Sequence, residues 1–245
     1  MRIDVRTEPE DLRFSAEETV AVRNAFNREY KDRGLTKAFL KHAAHCLRDW
    51  DRENYYSAYF ALVQASTSGK SSLLLRSGNY VYVVYCSLRH PESGGYPERS
   101  TIAKDLEDVG EGQSLGQSLA KYVAYLYACI EHLTKCDVSP DAFLKQQDCQ
   151  FWLGIKNRMA ELQKEWNHIA SKDMAGRETE FVSKLKILWE LFLQQNTKKF
   201  GFDQELSPYI IFAFDEARML TKQSQGKEMG IYIPVPSMSL SAHSN

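Results

Sequence analysis

Apolar positions along this chain follow a helical rhythm over most of its length and a strand-like rhythm in a few short runs. Val20, Val22, Phe26 and Tyr30 fall at near-helical intervals behind Ser15-Ala16-Glu17-Glu18, whose spacing is that of a capping box. That helix is expected to stop at Gly34, and a second is expected from Thr36 to about Trp50. Further on, Leu115, Leu119, Val123, Leu126, Ile130 and Leu133 are spaced so that only a helix gathers them on one face. Another long helix is expected to open at Ser139-Pro140-Asp141, with serine as cap and proline at the first helical position, where its missing N–H costs nothing. A third spans about Glu178 to Gln195.

The strand-like runs are shorter. Tyr80-Val-Tyr-Val-Val-Tyr-Cys86 is rich in β-branched and aromatic residues and is the clearest strand; Pro208-Tyr-Ile-Ile-Phe-Ala-Phe-Asp-Glu216 is a second that ends in two acids. Tyr59 to Val63 reads as a strand leading through Ser, Thr and Gly into a helix around Leu73-Leu74-Leu75, although Asp51 to Ala65 also fits one amphipathic helix. Arg89 to Gly116, with its prolines and glycines, reads as loop and short elements. The order of these pieces gives an expected α/β fold, a three-layer sheet with a large helical insertion. Its parts are an N-terminal helical segment (1–50), a main domain (51–220) with the insertion at about 115–200, and a partly disordered tail (221–245).

Composition narrows the classes of partner. The chain is 43% hydrophobic and 26% charged, with 31 Lys plus Arg against 32 Asp plus Glu, so no global field draws it to nucleic acid or an anionic membrane. No run of apolar residues is long enough to span a bilayer, and the acid-bearing N-terminus lacks the apolar core of a secretory signal. Five cysteines, an odd number, do not make a disulfide framework. The expected compartment is intracellular, cytoplasmic or nuclear.

Val63-Gln-Ala-Ser-Thr-Ser-Gly-Lys-Ser71 holds the most suggestive chemistry. Gly69-Lys70-Ser71 ends a phosphate-binding loop, but the pattern G-x-x-x-x-G-K-[ST] puts its first glycine at Gln64. Ser66, Thr67 and Ser68 are small enough to build the loop another way, Gly69 allows a tight turn against a phosphate, and Ser72 completes the cradle. Lys70 is expected at the terminal phosphates of ATP and Ser71 on Mg2+. Asp215 is expected in the metal shell and Glu216 as the catalytic base that takes a proton from the attacking water; the competing reading is that both acids cap the next helix. Arg89, and with less reason Arg218, could reach a phosphate from the sheet edge.

Taken together, Ala65-Ser-Thr-Ser-Gly-Lys-Ser71, Ser87-Leu-Arg89, Gly95-Tyr-Pro97 and Phe212-Ala-Phe-Asp-Glu-Ala-Arg218 resemble the P-loop NTPase domain of fungal and oomycete Crinkler-type proteins, over about residues 55 to 220. The resemblance implies ATP binding and hydrolysis through Lys70, Ser71, Asp215 and Glu216. Fewer than thirty residues follow Glu216, so weak or incomplete turnover is expected, with a non-hydrolysing interaction module using the helical surface as the alternative. Two rival sites are Cys129, His132 and Cys136, and His42, His45 and Cys46, whose residue types suit zinc; free buried cysteine is the simpler reading. Trp152, Trp166 and Trp189 are expected to pack rather than stack on bases, and nucleic-acid binding is not expected.

Overall fold

The computed structural model describes residues 34–49, 69–93, 97–107, 115–169, 174–200 and 210–216, with the single positions 15, 17, 20, 21, 24, 32 and 62. Among them the chain forms α1 (Leu35–Arg48), α2 (Lys70–Ser77), β1 (Tyr82–Ser87), α3 (Ala103–Glu107), α4 (Leu115–Lys135), α5 (Pro140–Lys145), α6 (Cys149–Ile169), α7 (Met174–Phe200) and β2 (Ile210–Asp215). Asp32 starts α1, its Oδ1 accepting both the backbone N–H and the hydroxyl of Thr36 at 2.9 Å. At the end of α2 a tight turn, with the Tyr80 and Val81 N–H groups both on the Ser77 carbonyl, passes the chain straight into β1.

β1 and β2 pair in parallel, from Tyr82 opposite Ile210 to Ser87 opposite Asp215. Alternation along β1 then splits the core. Tyr82, Val84 and Cys86 join the larger cluster with Tyr125, Leu133, Phe143, Ile155 and Phe192 from the long helices. Val81, Val83 and Tyr85 face the other way, with Leu40 of α1, Ala213 of β2 and the partly buried Leu74 and Leu75 of α2. Tyr82 anchors the larger cluster: its ring meets Phe143 and Phe192 edge-on at 5.7 Å, and its one hydroxyl hydrogen is shared between the Val138 carbonyl (2.7 Å) and Asn196 Oδ1 (3.0 Å).

The expected three-layer α/β P-loop sheet is therefore wrong. Among the described residues the protein is mostly helical, and its sheet has two strands. The segment read as an insertion is the body of the core, because α6 and α7 both pack on α4 and the three helices supply most of the large buried apolar side chains. The sheet also has little room to grow beside β1. Residues 83, 85 and 87 turn their backbone groups away from β2, and side chains occupy that edge. The Gln147 amide donates to the Val83 carbonyl (2.6 Å) and accepts the Tyr85 N–H (2.9 Å), while Ser100 accepts the Ser87 N–H on its Oγ (2.9 Å) and gives its own N–H to the Ser87 carbonyl (3.0 Å). An edge satisfied in this way does not need a third strand.

Other expectations are met or redrawn. The strands at 80–86 and 208–216 are found as 82–87 and 210–215, and the helix after Gly69 is found as α2. The helix expected from Ser139 splits into α5 and α6, because Asp148 Oδ1 accepts the N–H groups of Gln150 and Phe151 and opens a new helix. Ser139 precedes Pro140 as expected, but its hydroxyl donates to Asp141 Oδ1 (2.6 Å) instead of capping the backbone. On α4 the buried face is broader than the apolar stripe: Tyr122, Tyr125 and Cys129 join Leu126, Ile130 and Leu133. Glu17, Val20, Ala21 and Asn24 are helical; the rest of the first expected helix lies outside the described residues. Leu62 is in neither helix nor strand, and the other residues of 51–65, with the tail at 221–245, also lie outside.

Candidate functional site

The site sits where α2 begins and the two strands end. Gly69 precedes α2 with φ 86°, a left-handed conformation. A Cβ at this position would meet nothing within 4 Å, so the backbone angle, not space, calls for glycine here. One residue into the helix, the Ser71 hydroxyl donates to Asp215 Oδ2 at 2.7 Å, across 144 residues of sequence. Asp215 is the last residue of β2, and its side chain shares a sheet face with Ala213, Tyr85 and Ser87, the face that α2 covers.

Two more donors fix this carboxylate. The Tyr85 hydroxyl donates to the same Oδ2 at 2.5 Å, and the Glu216 N–H folds back onto Oδ1 at 3.0 Å. Glu216 is the one described non-glycine residue with positive φ, 59°, so the chain turns sharply as it leaves β2. Burial, and after it the Asp215 charge, hold the Tyr85 phenol well above its ordinary pKa, while the nearby Arg89 cation pulls the other way. Ser87, in register with Asp215, is buried, and its Oγ meets no hydrogen-bond partner among the described residues. Such an orphaned hydroxyl is uncommon and calls for a missing polar neighbour.

The loop after β1 is pinned as well. Arg99 donates to the Arg89 carbonyl and grips Glu107 in a two-pronged pair, 2.5 Å and 3.0 Å, with both side chains only 17% exposed. Cys86, behind the sheet, is an inert thiol whose pKa burial pushes up to about 12.

The sequence-predicted residues fall into three groups. Lys70, Ser71, Asp215, Glu216 and Arg89 gather at this end of the sheet. Ser72 turns along its own helix, accepting from Arg76 Nε at 3.3 Å. Ser66, Thr67, Ser68 and Arg218 lie outside the described residues. Tyr85, Arg99 and Gln147 belong to no motif read from the sequence, and Ser87 enters there only within Ser87-Leu-Arg89, with no role of its own; the one hint was a run of strand residues that ends in polar side chains.

The rival metal sites do not assemble. Among the described residues no group of three or more His, Cys, Asp or Glu side chains is placed to hold an ion. Cys129 is buried, and the His132 ring lies edge-on to Phe151 at 5.1 Å. His42 meets Cys46 at 3.6 Å, but His45 turns to Asp49. All five cysteines are free. Trp152 and Trp189 pack as expected, against Phe151 and Phe192, and the Trp166 side chain lies outside the described residues. Among the described residues no helix is long and apolar enough to cross a membrane.

Residues 31–233 match the model of a family described as a domain of unknown function, DUF8735, and the chain belongs to that family. No curated protein and no solved structure matches it.

Proposed function

We propose that this member of the family binds ATP with Mg2+ where α2 meets the ends of β1 and β2, and turns it over slowly. The observation that carries the reading is the hydrogen bond from Ser71 to Asp215, which joins a hydroxyl in the first turn of a helix to a carboxylate at a strand end. The N–H groups that open a helix have no carbonyl behind them, and with the helix dipole they favour an anion. The orphaned Ser87 hydroxyl beside Asp215 supports a polar occupant. So does the order of motifs shared with Crinkler-type proteins, which supports the chemistry and not the three-layer sheet.

Mg2+ fits the donor set. Ser71 and Asp215 supply two hard oxygens, which suits a cation that takes its other ligands from water and phosphate. Bound there, it would offset the negative charge of the phosphates. The chain's own groups do the rest. Lys70 sets an ammonium against the terminal phosphates, Arg89 adds a second cation, and the backbone N–H groups of the first turn of α2, that of Ser72 among them, turn toward the anion. The Glu216 carboxylate takes the proton of the attacking water. A reducing, intracellular compartment is part of the same reading, in keeping with the five free cysteines.

Calorimetry and thermal unfolding of the full chain test it. At a hundredfold excess over Kd, MgATP should stabilise the wild type by about 2.7 kcal/mol. Lys70→Ala and Ser71→Ala should lose the effect, and Glu216→Gln should bind without turnover. A wild type indifferent to millimolar MgATP overturns the reading. It would then favour a second one, an interaction module using the helical surface, for which Ile187 and Leu191 speak: they stand one turn apart on α7, 59% and 43% exposed. Ile187→Glu should abolish any self-association seen in sedimentation if that face is the one used.

A further inference from the structure

We propose that Tyr85 restricts Asp215 to binding a cation through one oxygen, and so gives the site its preference for Mg2+ over a larger divalent ion such as Ca2+. This rests on the ATP-Mg2+ reading and goes beyond it, because the phosphate loop by itself does not say which cation accompanies the nucleotide.

An ionised carboxylate offers about four lone-pair positions, two on each oxygen. In Asp215 both positions of Oδ2 are taken by hydroxyl donors, Ser71 at 2.7 Å and Tyr85 at 2.5 Å. One position of Oδ1 is taken by the Glu216 N–H at 3.0 Å. Among the described residues what remains is one lone pair, on Oδ1. A cation can meet that oxygen directly or through a water molecule, but gripping both oxygens requires expelling a hydroxyl hydrogen from Oδ2.

The two hydroxyls differ in how readily they leave. Ser71 is half-buried at a helix start, and a single side-chain rotation redirects its O–H. Tyr85 is 7% exposed, its ring packed in the cluster formed by Leu40, Val83 and Ala213. It cannot swing aside without disturbing that cluster, and turning its O–H away would forfeit a charge-assisted bond. Tyr85 therefore keeps Oδ2 occupied.

That constraint separates the common hard cations. Ca2+ takes six to eight oxygens at flexible geometry and often binds a carboxylate through both oxygens, whereas Mg2+ requires six, keeps several waters and is content with one carboxylate oxygen. A one-oxygen Asp215 suits the smaller ion.

The test titrates Mg2+ and Ca2+ separately into the full chain with ATP held constant, by calorimetry, for the wild type and Tyr85→Phe. The readout is the ratio of the two apparent affinities, which general destabilisation would not move because the same molecules bind both ions. The wild type should favour Mg2+, and Tyr85→Phe should shift the ratio toward Ca2+ on the order of tenfold, the scale of one hydrogen bond to a charged group. If Tyr85→Phe does not fold, a site-specific fluorotyrosine at position 85, the same shape with a stronger donor, should move the ratio the other way. An unchanged ratio, or a wild type that favours Ca2+, overturns the role of Tyr85 and leaves the nucleotide site standing. A wild type that binds ATP with neither ion overturns both.

Discussion

Gln147→Ala is the sharpest probe of how the small sheet is held. The wild-type amide makes two bonds to the outer edge of β1, donating to the Val83 carbonyl and accepting from the Tyr85 N–H. Both strand residues are buried, at 0% and 7% exposure. Truncation orphans one acceptor and one donor, each at a cost of about 1–3 kcal/mol. Gln147 itself is half-buried, so water can reach part of the gap, and a loss of about 2–4 kcal/mol is expected for the pair. That is a large share of the roughly 5–15 kcal/mol that holds most domains folded, and it should lower Tm on the order of 10 °C. In urea titrations followed by circular dichroism the midpoint should fall with the slope unchanged. A loss below about 0.5 kcal/mol, the range of an ordinary surface change, would show that the β1 edge is satisfied without Gln147.

Gln147→Glu adds a check on the direction of these bonds. The introduced carboxylate can still accept the Tyr85 N–H but sets a second acceptor against the Val83 carbonyl. Only the protonated form can donate there, so its folded-state pKa is raised above the unfolded value. The stability contributed by protonation is then fully present below the unfolded pKa and is lost as pH rises through the folded one. The gap to wild type should therefore narrow as pH falls toward 4; a gap that widens would mean the amide has been placed the wrong way round.

Two further outcomes follow from packing. Gly78→Ala should destabilise by about 1–3 kcal/mol, because the added Cβ would lie 2.7 Å from Leu144 Cδ2 and 3.0 Å from the Leu75 carbonyl oxygen; Leu144→Ala in the same chain should recover part of the loss, and strict additivity in the double-mutant cycle would refute the clash. His132 has its pKa lowered, first by burial and then by the charge of Lys135, so its contribution is complete above the unfolded value of about 6.5 and fades as pH falls through that value toward the folded one. His132→Gln should flatten the stability curve between pH 7 and 5, and an unchanged slope would show that the ring is solvated.

What could be read from the sequence was what neighbouring residues decide together. Tyr82 to Cys86 could be recognised as a strand because β-branched and aromatic side chains suit a pleated surface, and Gly69-Lys70-Ser71 and Asp215-Glu216 could be recognised because each is contiguous. The sheet's size could not be read that way. It depends on Gln147, one glutamine in a polar connector, meeting backbone groups 62 and 64 residues away. Tyr85 was hidden for a related reason: inside an apolar run it looks like a packing residue, and its ring does pack, but its hydroxyl reaches a carboxylate 130 residues along the chain. The start of α6 was missed because Asp148 lies in a stretch that already looked helical, and only the capping bonds reveal the break.

These long-range contacts also explain why so small a site needs so much helix. Two parallel strands have little stability of their own, and nothing local to Asp215 would hold it beside Ser71. The position of β2 comes from its pairing with β1 and from Tyr125 of α4, which packs against Phe212 and Phe214 at 6.2 Å and 5.8 Å. The position of β1 comes from Tyr82, tied to Val138 and to Asn196 of α7, and from Gln147 between α5 and α6. The helices that read as an insertion thus fix the two strands whose ends carry Tyr85 and Asp215. A substitution in that block, such as Asn196→Ala, should weaken the site by way of β1 although it lies on the opposite face of the sheet from Asp215.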